Sequence, residues 1–385
     1  MAFDFLVPVG EKVITFSENL SPQTLGSNIN KHTAVHGLPS FADSKIAIFG
    51  VLETRNASEK RTEKLDIDAI RMEFYQLMLG NWDPKIIDIG DVEEGNSAED
   101  TYYVVKQISA DLLKKEIVPL IIGATQDITF ATFQAFKGVA SMINLVSIDS
   151  RFDFGEENEL ISSQSYMSKI ITDKPNNLYN FSNIGYQTYL NAQEEIDLME
   201  RLFFDAYRLG EISSDITLAE PILRDANLVS LDMRAIKGSE IGVSDLFSPN
   251  GFDSREICAL ARYSGIGEKI QLFGIYEIEN TSLSFKLVAQ IMWYFIEGLN
   301  FRIEETPRSN DDNFTKFVVP IDGETLVFFV SHITNRWWVE VPAFSAIHTK
   351  NNSVALLPCT RQDYLEACGQ NIPTRWFKAY KKSIN

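Results

Sequence analysis

Hydrophobic residues in the first three quarters of the chain form short unbroken runs, separated by longer stretches of helical periodicity. The runs are apolar throughout rather than alternating with polar residues, as is typical of strands covered on both faces. We predict strands at residues 45–52, 85–89, 118–123, 143–149, 180–185, 227–232 and 269–276, and a weaker one at 207–212. We predict helices at residues 66–78, 98–114, 128–136, 192–203, 216–225, 254–263 and 282–299.

The alternation of strands and helices divides the chain into three parts. It predicts an α/β domain with a mainly parallel sheet over residues 44–300. Residues 1–43 show no clear periodicity and are predicted to be an irregular arm packed on that domain. Residues 301–385 begin with a polar linker and are predicted to form a small β+α module. Its predicted elements are strands at residues 316–320, 325–331 and 336–341, with the hairpin turn signal Asp322-Gly323, and a helix at 361–368.

Composition and charge exclude several classes of partner. The 385 residues carry a net charge of −18, which argues against nucleic acids and acidic membrane surfaces, since both require a basic face. No apolar run approaches the ~18–20 residues of a membrane span, and the N-terminus lacks a secretory signal pattern. The three scattered cysteines, Cys258, Cys359 and Cys368, favour reduced thiols in a cytoplasmic protein.

Carboxylates follow two of the predicted strands at their carboxyl ends, where open α/β sheets bind ligands. The stretch SIDSRFDF contains Asp149 and Asp153 with Arg151 between them, and Asp232 ends another strand. Clustered carboxylates favour a metal site or a catalytic acid, whereas an arginine among them favours a salt-bridge cluster. The pattern alone leaves both interpretations open.

Three stretches, in order, resemble motifs of the ureohydrolases, the family of arginase, agmatinase and formimidoylglutamase. PLIIGATQDIT (119–129) corresponds to the family's Gly-Gly-Asp-His-Ser, SIDSRFDF (147–154) to Asp-Ala-His-Xaa-Asp, and SLDMRAIKGS (230–239) to Ser-Xaa-Asp-Xaa-Asp-Xaa-Xaa-Asp-Pro. The resemblance extends over roughly residues 44–299. It implies a three-layer arginase-like fold with an eight-stranded, mainly parallel sheet, and an oligomer by family analogy.

The resemblance also implies a site for two manganese ions, held by two histidines and four aspartates, that activates water to attack an amidine or guanidine. Here the ligand positions fall on Gln126, Asp149, Arg151, Asp153, Asp232 and Arg234. Three aspartates are retained and neither histidine is. Lys237 replaces a further aspartate of the motif.

The replacements place cations where metal ligands or acids stood in the family. Guanidinium groups can supply the positive charge that bound ions otherwise provide to facing carboxylates. We therefore expect Arg151 and Arg234 to form a salt-bridge cluster with the aspartates and the second metal position to be lost. The remaining set of Gln126, Asp149, Asp153 and Asp232 is all oxygen, and would suit one hard divalent cation.

Two further residues correspond to the substrate side of the family's pocket. Tyr166 stands at a histidine of the substrate loop, and Glu277 matches a glutamate that holds the cationic head of the substrate. A catalytic or binding role for Glu277 competes with a simpler one as the salt-bridge partner of Arg151 or Arg234.

The leading hypothesis is a pseudoenzyme without a cofactor, which retains the hydrolase fold as a binding or scaffolding protein. The alternative is a formimidoylglutamase-like hydrolase that uses manganese or another divalent cation to split a linear amidine or guanidine, releasing formamide or urea. A third possibility is a sensor whose arginines hold an anionic metabolite.

The C-terminal module is the candidate surface for a protein partner. In it, Trp337 and Trp338 are expected to point to opposite faces of a strand. The basic aromatic stretch at 375–382 is expected to dock on an acidic surface, most simply that of the protein itself.

Overall fold

The structure is a computed structural model that describes most of the chain. It covers residues 2–58, 63–83, 85–140, 142–156, 159–243, 248–307, 312–321, 323–343 and 353–384. Asp322, the first residue of the hairpin turn signal, lies outside the described residues.

A large sheet forms the centre of the fold. Its strands are β1 (Leu6–Val7), β2 (Asn30–Lys31), β3 (Ile46–Val51), β4 (Ile86–Val92), β5 (Val118–Gly123), β6 (Ile143–Ile148), β7 (Leu178–Tyr186), β8 (Asp205–Arg208), β9 (Leu228–Asp232) and β10 (Leu272–Tyr276). Eight of them run parallel in the order β4-β3-β5-β10-β9-β6-β7-β8. The mainly parallel sheet implied by the sequence is therefore confirmed, but it has ten strands rather than eight, because β1 and β2 of the arm also pair with β4.

Helices cover both faces of this sheet. They are α1 (Glu11–Glu18), α2 (Leu25–Asn28), α3 (Ile67–Tyr75), α4 (Ala98–Leu113), α5 (Ile128–Ala135), α6 (Tyr166–Thr172), α7 (Gln193–Arg201), α8 (Leu209–Ser214), α9 (Glu220–Arg224), α10 (Gly238–Ile241), α11 (Ser254–Ile266) and α12 (Ser282–Asn300). Successive strand residues enter opposite hydrophobic clusters: Ile48 packs with the layer of α3, α11 and α12, and Phe49 with the layer of α4 and α5. This three-layer arrangement explains why the strands read as unbroken apolar runs.

Three local predictions differ from the structure. The arm is not irregular, because it contains α1 and α2, and its β1 and β2 pair with the outer edge of β4. The strand predicted at 207–212 is β8 followed directly by α8, where Leu209 and Ile212 are buried at helical spacing. The helix predicted at 216–225 is a 3-10 turn, Ile216–Ala219, followed by α9.

The contact between α11 and α12 depends on two glycines. A Cβ atom on Gly265 would lie 2.1 Å from the carbonyl oxygen of Phe295, and one on Gly298 would lie 2.4 Å from that of Arg262. Both atoms belong to backbone, which cannot move aside as a flexible side chain could. The two helices therefore approach closely only because neither glycine has a side chain.

Replacing Gly298 with alanine is expected to lower the melting temperature, because overpacking of this kind costs about 1–3 kcal/mol. The matched control is Gly210→Ala in α8, where an added Cβ meets nothing within 4 Å. The control is expected to be neutral or slightly stabilising, since alanine favours helices over glycine. Thermal unfolding followed by circular dichroism checks both variants, and equal melting temperatures would contradict the close approach.

The C-terminal residues form a second, antiparallel sheet in the order β11 (Phe314–Ile321), β12 (Glu324–Ser331), β13 (Trp337–Ala343) and β14 (Ser353–Cys359), with the helices α13 (Arg361–Cys368) and α14 (Thr374–Ile384). The strand β14, which includes Pro358, was not among the predicted strands. Trp337 and Trp338 point to opposite faces, as expected. Trp337 stacks on Phe317, and Trp338 packs under the guanidinium of Arg224 in α9, 4.4 Å from its ring centroid.

The basic aromatic stretch is α14, and it docks on the α/β domain. Lys378 donates a hydrogen bond of 2.6 Å to the carbonyl oxygen of Phe204 and lies 3.5 Å from Asp205. Arg375 donates to the carbonyl oxygen of Pro221 at 3.0 Å. These contacts agree with docking on the protein's own surface. None of the helices in the described ranges is long and apolar enough to cross a membrane.

Candidate functional site

The residues singled out by the sequence meet at the carboxyl ends of four neighbouring strands, β5, β10, β9 and β6. Asp149 follows β6, Asp232 ends β9 and Glu277 follows β10. Gln126 lies just beyond β5, in the turn that leads into α5. All four side chains are buried, with exposed fractions of 4% or less. The parallel topology therefore brings together side chains that are distant in the sequence.

Two of the aspartates are held by their own turns. Asp149 Oδ1 accepts a hydrogen bond of 2.9 Å from the backbone N–H of Arg151, and Asp232 Oδ1 accepts one of 2.6 Å from the N–H of Arg234. Asp153 has a φ of 55°, in the left-handed region that few non-glycine residues adopt. Each turn fixes the carboxylate next to the arginine that replaces a family ligand.

Several buried oxygens in this site have no hydrogen-bond partner among the described residues. They are Oδ2 of Asp149, Oδ2 of Asp153 and Oε1 of Gln126. Burial raises the pKa of Asp149, and it raises the pKa values of Asp153 and Asp232 far above their ordinary value, with the negative charge of Asp149 adding to both effects. The three aspartates therefore form an acidic centre in which ionisation is unfavourable.

Arg234 pairs with the carboxylate of Glu277. Its Nη2 lies 2.8 Å from Glu277 Oε2, and its Nη1 donates a hydrogen bond of 2.9 Å to Ser58 Oγ. Glu277 Oε1 accepts a hydrogen bond of 3.0 Å from the backbone N–H of Gln126. The ion pair that the sequence suggested between Glu277 and an arginine is therefore present, and it links the ends of β9, β10 and β5.

The hydrogen-bond partner of the Arg151 side chain differs from the one predicted. We predicted an ion pair between its guanidinium and the aspartates, but its Nη1 donates to the carbonyl oxygen of Leu190 at 2.8 Å. Leu190 ends a 3-10 turn after β7, and its carbonyl points toward Arg151. No described carboxylate lies within 4 Å of the Arg151 guanidinium. The expected salt-bridge cluster around all three aspartates is therefore wrong for Arg151.

Tyr166 and Gln126 both contact side chains of the central strands. Tyr166 begins α6 and is fully buried, with its hydroxyl 3.5 Å from Ser147 Oγ. Burial raises its pKa, and the charges of Asp153 and Asp149 raise it further. Gln126 Nε2 lies 3.3 Å from Ser147 Oγ and from Ser230 Oγ. Ser147 on β6 thus contacts both side chains, and Ser230 on β9 contacts Gln126.

A second buried acidic group beside the site was missed in the sequence. Glu53, just after β3, accepts hydrogen bonds from Arg55 at 2.8 Å and from Thr101 at 2.6 Å. Asp127 accepts a hydrogen bond from the hydroxyl of Tyr102, and its burial raises its pKa to about 6. Glu53 follows a strand just as Asp149 does, so the same strand-end rule could have identified it. Asp127 lies four residues beyond the end of β5 and was not singled out by any motif position.

The residues present do not fit a dinuclear manganese centre. Such a centre requires oxygen ligands such as carboxylates, or imidazoles, around both ions. Position 126 supplies one amide oxygen, and positions 151 and 234 supply guanidinium groups, which are positively charged and have no acceptor atom for a metal. Among the described residues, no group of three or more His, Cys, Asp or Glu side chains is arranged to hold a metal ion.

Comparisons with known proteins agree with this architecture. The sequence matches the Arginase family over residues 44–295. The structure is similar to formiminoglutamase from Trypanosoma cruzi with Mn²⁺, with a TM-score of 0.62, 15% identity and coverage of 69% of this chain and 97% of that chain. Among curated proteins, no significant sequence match is found.

Two further solved structures show the same similarity. Formimidoylglutamase from Bacillus subtilis gives a TM-score of 0.62 with 15% identity and covers 69% of this chain and 90% of its own. The agmatine ureohydrolase of Thermoplasma volcanium gives a TM-score of 0.58 with 17% identity. That alignment covers 74% of this chain and 96% of the ureohydrolase chain. At these identities the similarity concerns the fold.

Proposed function

Because the chain belongs to the arginase family, we propose that it has kept the ureohydrolase fold but lost the dinuclear manganese site, and acts as a binding or scaffolding protein. The observation that carries this proposal is the ion pair between Arg234 and Glu277, whose atoms lie 2.8 Å apart. In the family resemblance, position 234 is a metal ligand and position 277 holds the substrate. Here the two side chains neutralise each other.

The surrounding contacts support the same proposal. The amide of Gln126 contacts two serines, and Arg151 extends toward Leu190. A bridging hydroxide needs two cations to stabilise it, and the second ligand set is replaced by arginines. Without that hydroxide the site lacks the nucleophile of the family's reaction.

Manganese loading tests this proposal directly. After incubation with excess Mn²⁺ and desalting, the protein is expected to retain far less than one manganese per chain by elemental analysis. Incubation with guanidine and formimino substrates is expected to release no urea or formamide. The T. cruzi formiminoglutamase, treated in parallel, serves as the positive control. Stoichiometric manganese together with product release would overturn the proposal.

The matched variant combines Gln126→His, Arg151→His and Arg234→Asp, which returns the family's ligands to their positions. Because Asp149, Asp153 and Asp232 are already at the strand ends, this variant is expected to retain manganese where the parent does not. Elemental analysis under the same conditions measures the difference. If the variant folds and still holds no metal, the pocket itself has changed beyond its ligands.

One observation favours a second candidate, a formimidoylglutamase-like hydrolase with a single ion. Asp149 Oδ2, Asp153 Oδ2 and Gln126 Oε1 are buried acceptors without hydrogen-bond partners among the described residues. Oxygen ligands of this kind suit a hard cation such as Mg²⁺. Product release that depends on added Mg²⁺ would favour this candidate over a pseudoenzyme.

A further inference from the structure

A second cavity lies at the carboxyl ends of β7 and β8, and none of the predicted metal or catalytic residues lines it. Its volume is about 540 Å³, within the range of roughly 300–1,000 Å³ that is typical of small-molecule sites. The lining comes from the turn after β7, the end of β8, the start of α8 and the segment around Asn250. Ligands of parallel α/β sheets bind at this edge.

Two cations line the cavity. Arg208 ends β8, and Lys237 lies between β9 and α10. Neither side chain forms a salt bridge or a hydrogen bond with another described residue. Lys237 stands at the position of an aspartate in the family's motif, and its side chain lies on the wall of this cavity. The positive charge of both residues is therefore available to a ligand.

The cavity also has a fixed polar wall. Gln187 is only 5% exposed, and its Nε2 donates a hydrogen bond of 2.7 Å to the carbonyl oxygen of Asn250. Its Oε1 accepts hydrogen bonds from Asn250 Nδ2 at 3.0 Å and from the hydroxyl of Tyr189. These bonds tie the turn after β7 to the segment around Asn250. A ligand would thus meet a preorganised surface.

Two glutamates in the lining bear on the net charge of the cavity. Glu256 is engaged at the start of α11, where its Oε2 accepts a hydrogen bond of 2.9 Å from the backbone N–H of Asp253. Glu211 lines the cavity from α8. Two cations facing one available carboxylate leave the cavity with a net positive charge, which favours an anionic ligand over a neutral one.

We propose that this cavity binds a small organic carboxylate. Arg208 supplies the planar donor pair that matches a carboxylate, and Lys237 supplies a second positive charge. The inference goes beyond the proposed loss of manganese and does not depend on it, because no residue is shared between the two sites. If the cavity binds no carboxylate, the proposed loss of the manganese site is unaffected. If the protein does bind manganese, the proposed carboxylate site is unaffected.

Binding of succinate to the full chain tests this inference. Isothermal titration calorimetry and thermal shift are expected to detect succinate binding, and much weaker binding of the neutral analogue succinamide. The variants Lys237→Gln and Arg208→Gln are each expected to weaken succinate binding about tenfold or more, as for loss of a charged hydrogen bond. Their melting temperatures without ligand, compared with the parent, show whether each variant is folded.

The control is Lys114→Gln, which removes the same charge at the C-terminal end of α4, outside the lining of the cavity. Lys114 is 63% exposed and is expected to have no effect on binding. Three results would each overturn the inference: no succinate binding by the folded parent, equal binding in the Lys237→Gln/Arg208→Gln double variant, or equal affinity for succinamide.

Discussion

Replacing Arg71 with methionine is expected to lower the free energy of unfolding by about 3–5 kcal/mol, the usual effect of removing one partner from a buried ion pair. Arg71 in α3 is completely buried, and its Nε lies 2.8 Å from Asp88 Oδ2 on β4. Its Nη1 lies 2.8 Å from Asp91 Oδ2, and its Nη2 donates to the carbonyl oxygen of Gly90 at 3.1 Å. Without Arg71, the fully buried Asp88 loses its counter-ion.

The size of this effect depends on burial, so an exposed arginine provides the control. Arg262 lies 2.8 Å from Glu297 but is 38% exposed, and exposed pairs contribute about 0–1 kcal/mol. Arg262→Met is therefore expected to shift the midpoint of urea unfolding far less than Arg71→Met does. Adding Asp88→Asn and Asp91→Asn to Arg71→Met is expected to recover part of the loss. Equal midpoints for the two single variants would contradict the interpretation.

Replacing Arg234 with methionine is expected to cost about 3 kcal/mol, at the lower end for buried pairs, because Arg234 is 20% exposed and water screens part of the interaction. Glu277 is fully buried and would lose this counter-ion. Arg234→Lys is expected to lose less, since it keeps the charge but not the planar donor pair. Urea unfolding measures both variants.

A double-mutant cycle separates this pair from its surroundings. Arg234→Met and Glu277→Gln are made singly and together, and the coupling energy between them is expected to exceed 1 kcal/mol. The reference is the cycle of Lys269 and Asp225, an ion pair in which the lysine is 49% exposed. It is expected to give less than 1 kcal/mol. A coupling energy for Arg234 and Glu277 no larger than this reference would show that the two residues do not neutralise each other.

The amino-acid pattern predicted the parts of the site that depend on strand ends. Asp149 and Asp232 could be placed because apolar runs mark the strands, and parallel strands end at one edge. The direction of the Arg151 guanidinium could not be predicted, since its acceptor, the Leu190 carbonyl, belongs to a turn 39 residues away. A long side chain can reach several acceptors, and which one it contacts depends on distances in the folded protein that the amino-acid pattern does not contain.

The pattern of hydrophobic and polar residues also failed to predict very short strands. The two-residue strands β1 and β2 have no periodicity to detect, and their pairing with β4 depends on how the arm packs. The strand β8 ends at Arg208, and α8 begins at the next residue, Leu209. Because Leu209 is apolar, the predicted strand at 207–212 continued into what is a helix. Strand length and strand pairing are set by tertiary contacts, which one sequence does not reveal.

The arm has a consequence for self-association of the sheet. β1 pairs with Asp91 and Val92, and β2 pairs with Ile87 and Asp88, so two short segments share the outer side of β4. A long unpaired strand at such a border would be a template for another chain, as in amyloid growth. Here an incoming strand meets interrupted two-residue segments instead. The N-terminal residues thus cover β4, and a chain without them is expected to present β4 as an unpaired edge strand.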